Sequence, residues 1–223
     1  MIIALGDIHA PFQHKGAVDW AIGVIRALKP KLVVQIGDAY DQLAYTKYSK
    51  PESSEPASTE LEKAQAALAS IWDRVAKASP KAKRVGLLGN HDMRAIRRIH
   101  EKMPEAEALV DLGRFYSFPG VEMLLDDRDH FDVGPIRFIH GYLSQLGAHA
   151  RFNERSVVCG HSHVGGVVFQ RAGGRIRWEL NCGFLGDERS AAFRYLPQRV
   201  SKWTLGLGAI DSHGPRFIPY PGR

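Results

Sequence analysis

The segment Leu32-Val33-Val34-Gln35-Ile36-Gly37-Asp38 joins a short, largely apolar run to a glycine and an acidic residue. An apolar run of this length that is rich in β-branched residues indicates a buried strand, and the glycine permits a tight turn where the strand ends. The same arrangement opens the chain, where residues 2–5 are apolar and Gly6 and Asp7 follow. Both segments therefore predict strands that present a carboxylate just beyond the strand end.

Helical and strand-like segments alternate along the rest of the chain. Residues 17–28 carry apolar side chains at the i, i+3, i+4, i+7 spacing of an amphipathic helix that Pro30 ends. Helices are also predicted over residues 59–77 and over 93–109, where Pro104 is expected to divide the helix. Strands are predicted over residues 85–88, 121–125, 136–139, 157–159, 166–170, 175–180 and 203–210. We expect a surface loop at 49–58 and an irregular carboxyl-terminal stretch at Pro215, Pro219 and Pro221.

Helices separate the early strands, whereas strands dominate the second half of the chain. This order predicts an α/β fold in the form of a four-layer α/β/β/α sandwich, with two mixed sheets flanked by helices. A length of 223 residues fits a single domain spanning residues 1–223.

Composition indicates a globular protein with no membrane association. Hydrophobic residues make up 44% and charged residues 24%, and no apolar run approaches the ~20 residues that span a bilayer. The first residues lack a cationic signal-peptide region, so we expect a cytoplasmic protein. Cys159 and Cys182 are predicted to be buried free thiols rather than a disulfide. The net charge of +6 suits a polyanionic partner such as nucleic acid, although many globular proteins are mildly basic.

Chemically notable residues follow five of the predicted strands. The pairs are Gly6-Asp7, Gly37-Asp38, Gly89-Asn90, His140-Gly141 and Gly160-His161. Ligands of α/β sheets collect at the carboxyl ends of the strands, so these side chains are expected to meet. One such pair alone is a weak signal. Together the pairs offer oxygen and imidazole donors without a thiolate, which favours Mn, Fe, Zn or Mg over a soft ion.

The complete segments resemble the signature blocks of the calcineurin-like metallophosphoesterases. They read Gly6-Asp7-Ile8-His9, Gly37-Asp38-Ala39-Tyr40-Asp41, Gly89-Asn90-His91-Asp92, His140-Gly141-Tyr142 and Gly160-His161-Ser162-His163. The resemblance spans positions 6–163. Residues 45–51 and 178–183 look like segments of the small members of this family that bacteriophages and prophages carry.

The resemblance implies two divalent metal ions that share an attacking hydroxide. One ion would be held by Asp7, His9 and His163, the other by Asn90, His140 and His161, and Asp38 would bridge both. Mn²⁺ is the expected metal, with Fe, Zn, Mg or Ni as alternatives. Such a pair depresses the pKa of a shared water and clamps the phosphoryl oxygens for in-line attack.

The resemblance also implies roles for residues that are not ligands. His91 would assist the leaving group and Asp92 would orient His91 by accepting a hydrogen bond. Asp41 would brace a ligand or merely close its turn. Arg94 is a candidate for substrate binding, whereas Arg97 and Arg98 could equally form a solvated helix face; Tyr142 is a candidate for the pocket wall.

Three functions remain open at this point. The first is hydrolysis of a phosphodiester in DNA, RNA or a small nucleotide, which the ligand set and the basic charge favour. The second is a phosphomonoesterase that acts on phosphoprotein or nucleotides. The third is a binding module that keeps the fold without catalysis, although none of the expected ligands is missing from the sequence.

Overall fold

The computed structural model describes residues 1–48, 54–172, 174–193 and 202–222. Its first sheet contains β1 (Ile2–Leu5), β2 (Leu32–Gln35), β3 (Lys83–Gly86), β4 (Glu122–Met123), β10 (Gly206–Asp211) and β11 (Gly214–Pro219). The strand order is β11-β10-β1-β2-β3-β4. Strands β1 to β4 are mutually parallel, whereas β10 and β11 pair antiparallel.

The second sheet is also mixed. It contains β5 (Phe131–Val133), β6 (Ile136–Phe138), β7 (Ser156–Cys159), β8 (Gly166–Ala172) and β9 (Arg175–Asn181), in the order β5-β6-β7-β9-β8. Strands β6, β7 and β9 are parallel to one another, and β5 and β8 are antiparallel edge strands.

Helices cover the outer faces of the two sheets. The described α-helices are α1 (Lys15–Leu28), α2 (Ala57–Ala78), α3 (Arg94–Lys102), α4 (Leu112–Phe115) and α5 (Ala148–Phe152). Because side chains alternate along a strand, Val33 packs towards α1 and α2 while Val34 packs against the second sheet. Helix α5 contacts β7, β8 and β9. The predicted α/β/β/α layering is confirmed, with a single short helix described on the second sheet.

The carboxyl-terminal strand β11 contradicts the expected irregular stretch. Pro215 pairs with Ile210 and Pro219 with Gly206 along the antiparallel ladder. Strand β11 lies at the edge of its sheet. A proline is tolerated there because no neighbouring strand on the open side needs its missing N–H. Strand β10 begins at Gly206, three residues after the start of the strand predicted over residues 203–210.

Other predicted boundaries agree more closely with the structure. Helix α3 ends at Lys102 and a 3₁₀ helix, Pro104–Leu109, follows it, so the proline divides the predicted helix as expected. Helix α2 begins at Ala57, inside the predicted loop 49–58, of which residues 49–53 lie outside the described part. Cys159 and Cys182 are buried free thiols. No helix within the described ranges has the length and apolarity to cross a bilayer.

Candidate metal centre

The first group of donors lies beyond the ends of β1, β2 and β7. It consists of Asp7, His9, Asp38 and His163, all of them buried, with donor atoms within 4.8 Å of one another. His9 Nε2 lies 3.1 Å from His163 Nε2, and Asp7 Oδ1 lies 3.6 Å from the same His163 nitrogen. Two imidazoles and two carboxylates thus converge on one point.

The second group shares Asp38 with the first. His140 and His161 join that carboxylate, with donor atoms again within 4.8 Å. Asn90 Oδ1 lies between the two rings, 3.1 Å from His140 Nε2 and 2.8 Å from His161 Nδ1. The structure therefore brings all seven residues predicted as ligands together, in the two groups that the resemblance implies.

Asp38 occupies the boundary between the groups. Its Oδ1 accepts a hydrogen bond from the amide of His91 at 2.7 Å. Its Oδ2 lies 3.3 Å from His140 Nε2 and 3.9 Å from His9 Nε2. One carboxylate oxygen, rather than one for each ion, faces both groups.

Hydrogen bonds on the far side of two rings select the nitrogen that faces the centre. His9 Nδ1 lies 2.8 Å from Asp41 Oδ1, and His140 Nδ1 lies 3.0 Å from the carbonyl oxygen of Ile36. Since both partners are acceptors, each Nδ1 carries a hydrogen and each Nε2 is the nitrogen that faces the centre. Imidazole nitrogens and carboxylates that face one another across a buried space fit two divalent cations.

Charge interactions among the clustered side chains shift several pKa values. Burial alone would raise the pKa of Asp38, but the neighbouring imidazoles, His140 foremost, hold it well below its usual range. Burial alone would lower the pKa of His140, but Asp38 and Asp7 raise it to about 9. Burial lowers the pKa of His161 to about 4 and that of His9 to about 4. At neutral pH His140 is therefore the ring that holds a proton in the direction of the centre.

This proton gives metal binding a predictable pH dependence. A metal that binds His140 Nε2 must displace the proton below about pH 9, so affinity is expected to fall about tenfold for each unit of pH decrease between 8 and 6. His161, with a pKa of about 4, adds no proton in that range. Calorimetric titration with Mn²⁺ in buffers of different ionisation enthalpy measures both the affinity and the protons released. A titration with the same affinity at pH 6 and pH 8 and no proton release would contradict this assignment.

Four of the seven donors have left-handed backbone. The φ angles are 51° at His9, 50° at Asp38, 66° at His161 and 60° at His163. Such conformations outside glycine cost about 1 kcal/mol or more each and persist only where the surroundings enforce them. Their concentration here marks these turns as a functional site.

Two of the motif glycines make room for donors instead of opening a turn. A Cβ on Gly160 would overlap the carboxylate of Asp7, and a Cβ on Gly89 would overlap that of Asp38. Neither glycine has a positive φ, in contrast to Gly37 at 93°. At Gly89 and Gly160 the close approach of a carboxylate, not a positive φ, is therefore what requires a glycine.

His91 lies beside the donors without joining them. Its Nδ1 is 3.0 Å from Asp41 Oδ1 and 3.2 Å from the Asp41 carbonyl oxygen. Its Nε2 is 2.9 Å from Arg94 Nη2, and Arg94 Nη1 donates to the same Asp41 carbonyl at 2.9 Å. Asp41 thus orients both His9 and His91, which decides between the two roles considered for it.

Asp92 does not orient His91, and this expectation is corrected. Its carboxylate accepts hydrogen bonds from the amides of Gly89 at 2.7 Å and Tyr40 at 2.8 Å, with a longer one from Ala39 at 3.3 Å. Burial, reinforced by Asp38, raises the pKa of Asp92 to about 7. Because these amides belong to the turns that carry Asp38 and Asn90, Asp92 fixes the two loops to each other.

Aromatic side chains around His163 were not identified from the sequence as part of the site. The His163 ring stacks on Phe184 with centroids 4.5 Å apart and meets Trp203 edge-on at 4.3 Å. Gln42 is a further polar residue without a sequence signal; its side chain joins the Asp92 carbonyl to the amide of Ala95. The partners in these contacts lie between 21 and 53 positions apart in the sequence, so local patterns do not reveal them.

A cavity of about 760 Å³ opens over the two donor groups. Asp38, Asn90, His91, His161 and His163 lie at its wall. The described lining residues include five cations, Lys47, Arg94, Arg97, Arg98 and Lys202. Tyr142 is not among them: its side chain is 72% exposed and its ring lies edge-on to His149 at 5.4 Å. The candidate Arg94 thus lines the cavity, and Tyr142 does not.

Comparison with known proteins connects this geometry to a family. The family model for the calcineurin-like phosphoesterases matches residues 1–165. The chain is 26% identical to the Gene 54 proteins of Mycobacterium phages D29 and L5, over 99% of this chain and 94% of each relative. It also resembles the solved structure of YfcE, a phosphoesterase from E. coli, with 16% identity and a TM-score of 0.45 over 95% of this chain and 88% of that one. The family match covers most of the chain, so the protein belongs to the calcineurin-like phosphoesterases and is a metal-dependent hydrolase of phosphate esters.

Proposed function

We propose that the protein hydrolyses phosphodiesters, in a nucleic acid or a nucleotide, at a dinuclear Mn²⁺ centre. The observation that carries this proposal is the cavity whose wall joins the two donor groups to five cationic side chains. A phosphodiester has two esterified oxygens and therefore carries a single negative charge. A polymeric nucleic acid carries one such charge per nucleotide. A cationic wall that extends away from the donors suits such a substrate.

The chain supplies a ligand set suited to hard divalent ions. Asp7, His9, His163 and Asp38 would hold one ion, and Asn90, His140, His161 and Asp38 the other. When bound, two such ions supply a nucleophile at neutral pH and neutralise charge on the phosphoryl oxygens. Asn90 contributes a neutral oxygen, which limits the negative charge that would repel the substrate.

His91 is placed to serve the leaving oxygen. Burial alone would lower the pKa of His91, but Asp38 and Asp41 raise it above its ordinary value. With Nδ1 held by Asp41, Nε2 is the nitrogen that donates the proton to the leaving group. A protonated Nε2 cannot accept from Arg94, so the guanidinium is then released to bind a substrate phosphoryl oxygen.

The phage origin of the two curated relatives supports action in the cytoplasm of an infected cell. A panel of single- and double-stranded DNA, RNA and cyclic nucleotides, assayed with Mn²⁺, identifies the preferred class.

A comparison of two aryl phosphates tests the reaction type. We expect the Mn²⁺-loaded protein to cleave a bis-aryl phosphate with a kcat/KM at least about tenfold above that for the mono-aryl ester, because Arg94 and the metals face one phosphoryl group while the cavity has room for a second substituent. Chelation should abolish both activities and Mn²⁺ should restore them. A strong preference for the monoester would reject diester hydrolysis, and a protein that binds no metal would revive the non-catalytic binding module.

One observation favours the second candidate, a phosphomonoesterase. Arg94 presents its guanidinium beside His91, and a planar fork of this kind pairs well with the two free oxygens of a monoester dianion. Replacement of Arg94 by alanine distinguishes the cases. A monoesterase should lose mainly its affinity for the dianion, whereas a diesterase should lose mainly turnover.

A further inference from the structure

A second cluster of potential ligands lies away from the donor groups, on the outer face of the second sheet. His149 on α5, Cys159 on β7 and Glu179 on β9 have side-chain donor atoms within 4.8 Å of one another. All three are at most 1% exposed. The proposed hydrolysis uses none of them.

Most of the lone pairs in this cluster are already engaged by the backbone. Glu179 Oε1 accepts from the amide of Gly147 at 2.7 Å, and Oε2 accepts from that of Ala150 at 3.0 Å. His149 Nε2 accepts from the amides of Tyr142 and Leu143 at 3.1 and 3.2 Å. A metal ion would have to displace these bonds inside a buried space. The cluster therefore binds backbone amides of the neighbouring loop and helix and does not form a metal site.

The segment that it holds contains a predicted ligand. Residues 139–147 connect β6 to α5, and His140 is the second of them. Gly141, with φ of 94°, lies so close to the ring of His149 that a Cβ there would be 2.9 Å from its Nε2. The ring thus contacts the turn directly after His140 and binds its next two amides.

Glu179 lies beside the His149 ring. Its Oε2 is 3.7 Å from His149 Nδ1, the ring nitrogen opposite the one that binds the loop, which is a contact longer than a hydrogen bond. Nδ1 has no hydrogen-bond partner within the described part of the chain, so the two amide bonds to Nε2 and the contact with Glu179 fix the ring. The same carboxylate accepts from the amides of Gly147 and Ala150, which fixes the carboxyl-terminal end of the segment and the first turn of α5.

We propose that His149 and Glu179 are positioning residues for His140, through the amides of Tyr142 and Leu143, and thereby set the affinity of one of the two metal sites. This inference rests on the dinuclear centre proposed above. Removing a partner that orients a metal ligand typically costs about 10–100-fold in metal affinity, and a partner that acts through the backbone should lie near the lower limit.

Calorimetric titration of Mn²⁺ into the full chain and three variants tests the proposal. We expect His149→Leu to weaken one of the two binding steps about tenfold and to leave the other unchanged. His149→Gln should recover most of that loss, because its amide oxygen can accept the loop amides in place of Nε2. His213→Leu removes a histidine whose side chain is 85% exposed and serves as the matched control with parental affinities.

Melting temperatures of all variants separate positioning from general destabilisation. Should His149→Leu fail to fold, Glu179→Gln and His149→Gln carry the test, the former with one weakened step and the latter with near-parental binding. Unchanged affinities for both metals in every folded variant would overturn the proposal, as would equal weakening of both steps. A parental chain that binds no Mn²⁺ would instead remove the dinuclear centre on which the inference rests.

Discussion

Asp38→Asn is expected to lose both metal ions and, with them, all measurable turnover. The asparagine keeps the Oδ1 that accepts from the His91 amide, so the local backbone should be preserved. It replaces the charged Oδ2, which faces both His140 and His9, by a neutral atom. Since both groups of donors share this oxygen, affinity should fall by more than the ~100-fold that loss of an outer-sphere partner can cost. Metal content after gel filtration, measured by mass spectrometry, reports the loss.

A matched exchange at the surface controls for the change of one charge. Asp73→Asn removes a carboxylate that is 56% exposed and paired with Lys77, and it should bind metal as the parent does. If Asp38→Asn retains one ion with near-parental affinity, the carboxylate belongs to a single site and the bridging assignment is wrong. Thermal melts of the metal-free proteins check that both variants fold.

His91→Ala is expected to keep both ions and to slow turnover by about 10²–10⁴-fold, the usual contribution of a general acid. The ring lies beside the donors but directs its nitrogens to Asp41 and Arg94, so its removal takes no ligand from either group. The loss should appear in kcat, because proton donation to the leaving oxygen stabilises the transition state and not the bound ground state. A substrate whose leaving group is a weak base needs less protonation and should be slowed less.

Variation of the leaving group distinguishes proton donation by His91 from a role of His91 in metal binding. Aryl phosphates that span a range of phenol pKa values give the dependence of rate on leaving-group basicity, which should steepen in His91→Ala. His213→Ala, at an exposed position, should retain the parental dependence. Loss of metal from His91→Ala equal to that from Asp38→Asn would show that His91 is itself a ligand.

The buried central strands were predictable because each is a short apolar run that ends at a glycine followed by a polar residue. Strand β2 lies between β1 and β3, covered on both faces, and its side chains therefore show no polar alternation. Strand β11 lies at an edge and contains two prolines, a composition that local rules assign to irregular chain. Its partner β10, not its own residues, determines that it is a strand.

The convergence of the seven proposed ligands was predictable from the sequence, whereas the residues that support them were not. Each donor follows a strand and belongs to a motif only a few residues long, so local sequence identifies it. The partner of His91 is Asp41, fifty positions earlier in the chain, whereas its neighbour Asp92 turns away to bind backbone amides. His149 gives no signal at all, because its contact with the loop after His140 depends on how α5 packs against β9.

The left-handed turns at the donors have a consequence for how such genes diverge. At positions 9, 38, 161 and 163 the side chain proposed as a metal ligand is also one that the backbone conformation disfavours. Selection for catalysis and selection for stability therefore act in opposite directions at these positions. In a gene copy that is no longer selected for catalysis, glycine or asparagine should replace these residues first. A relative with such substitutions is therefore expected to have lost its activity while it retains the fold.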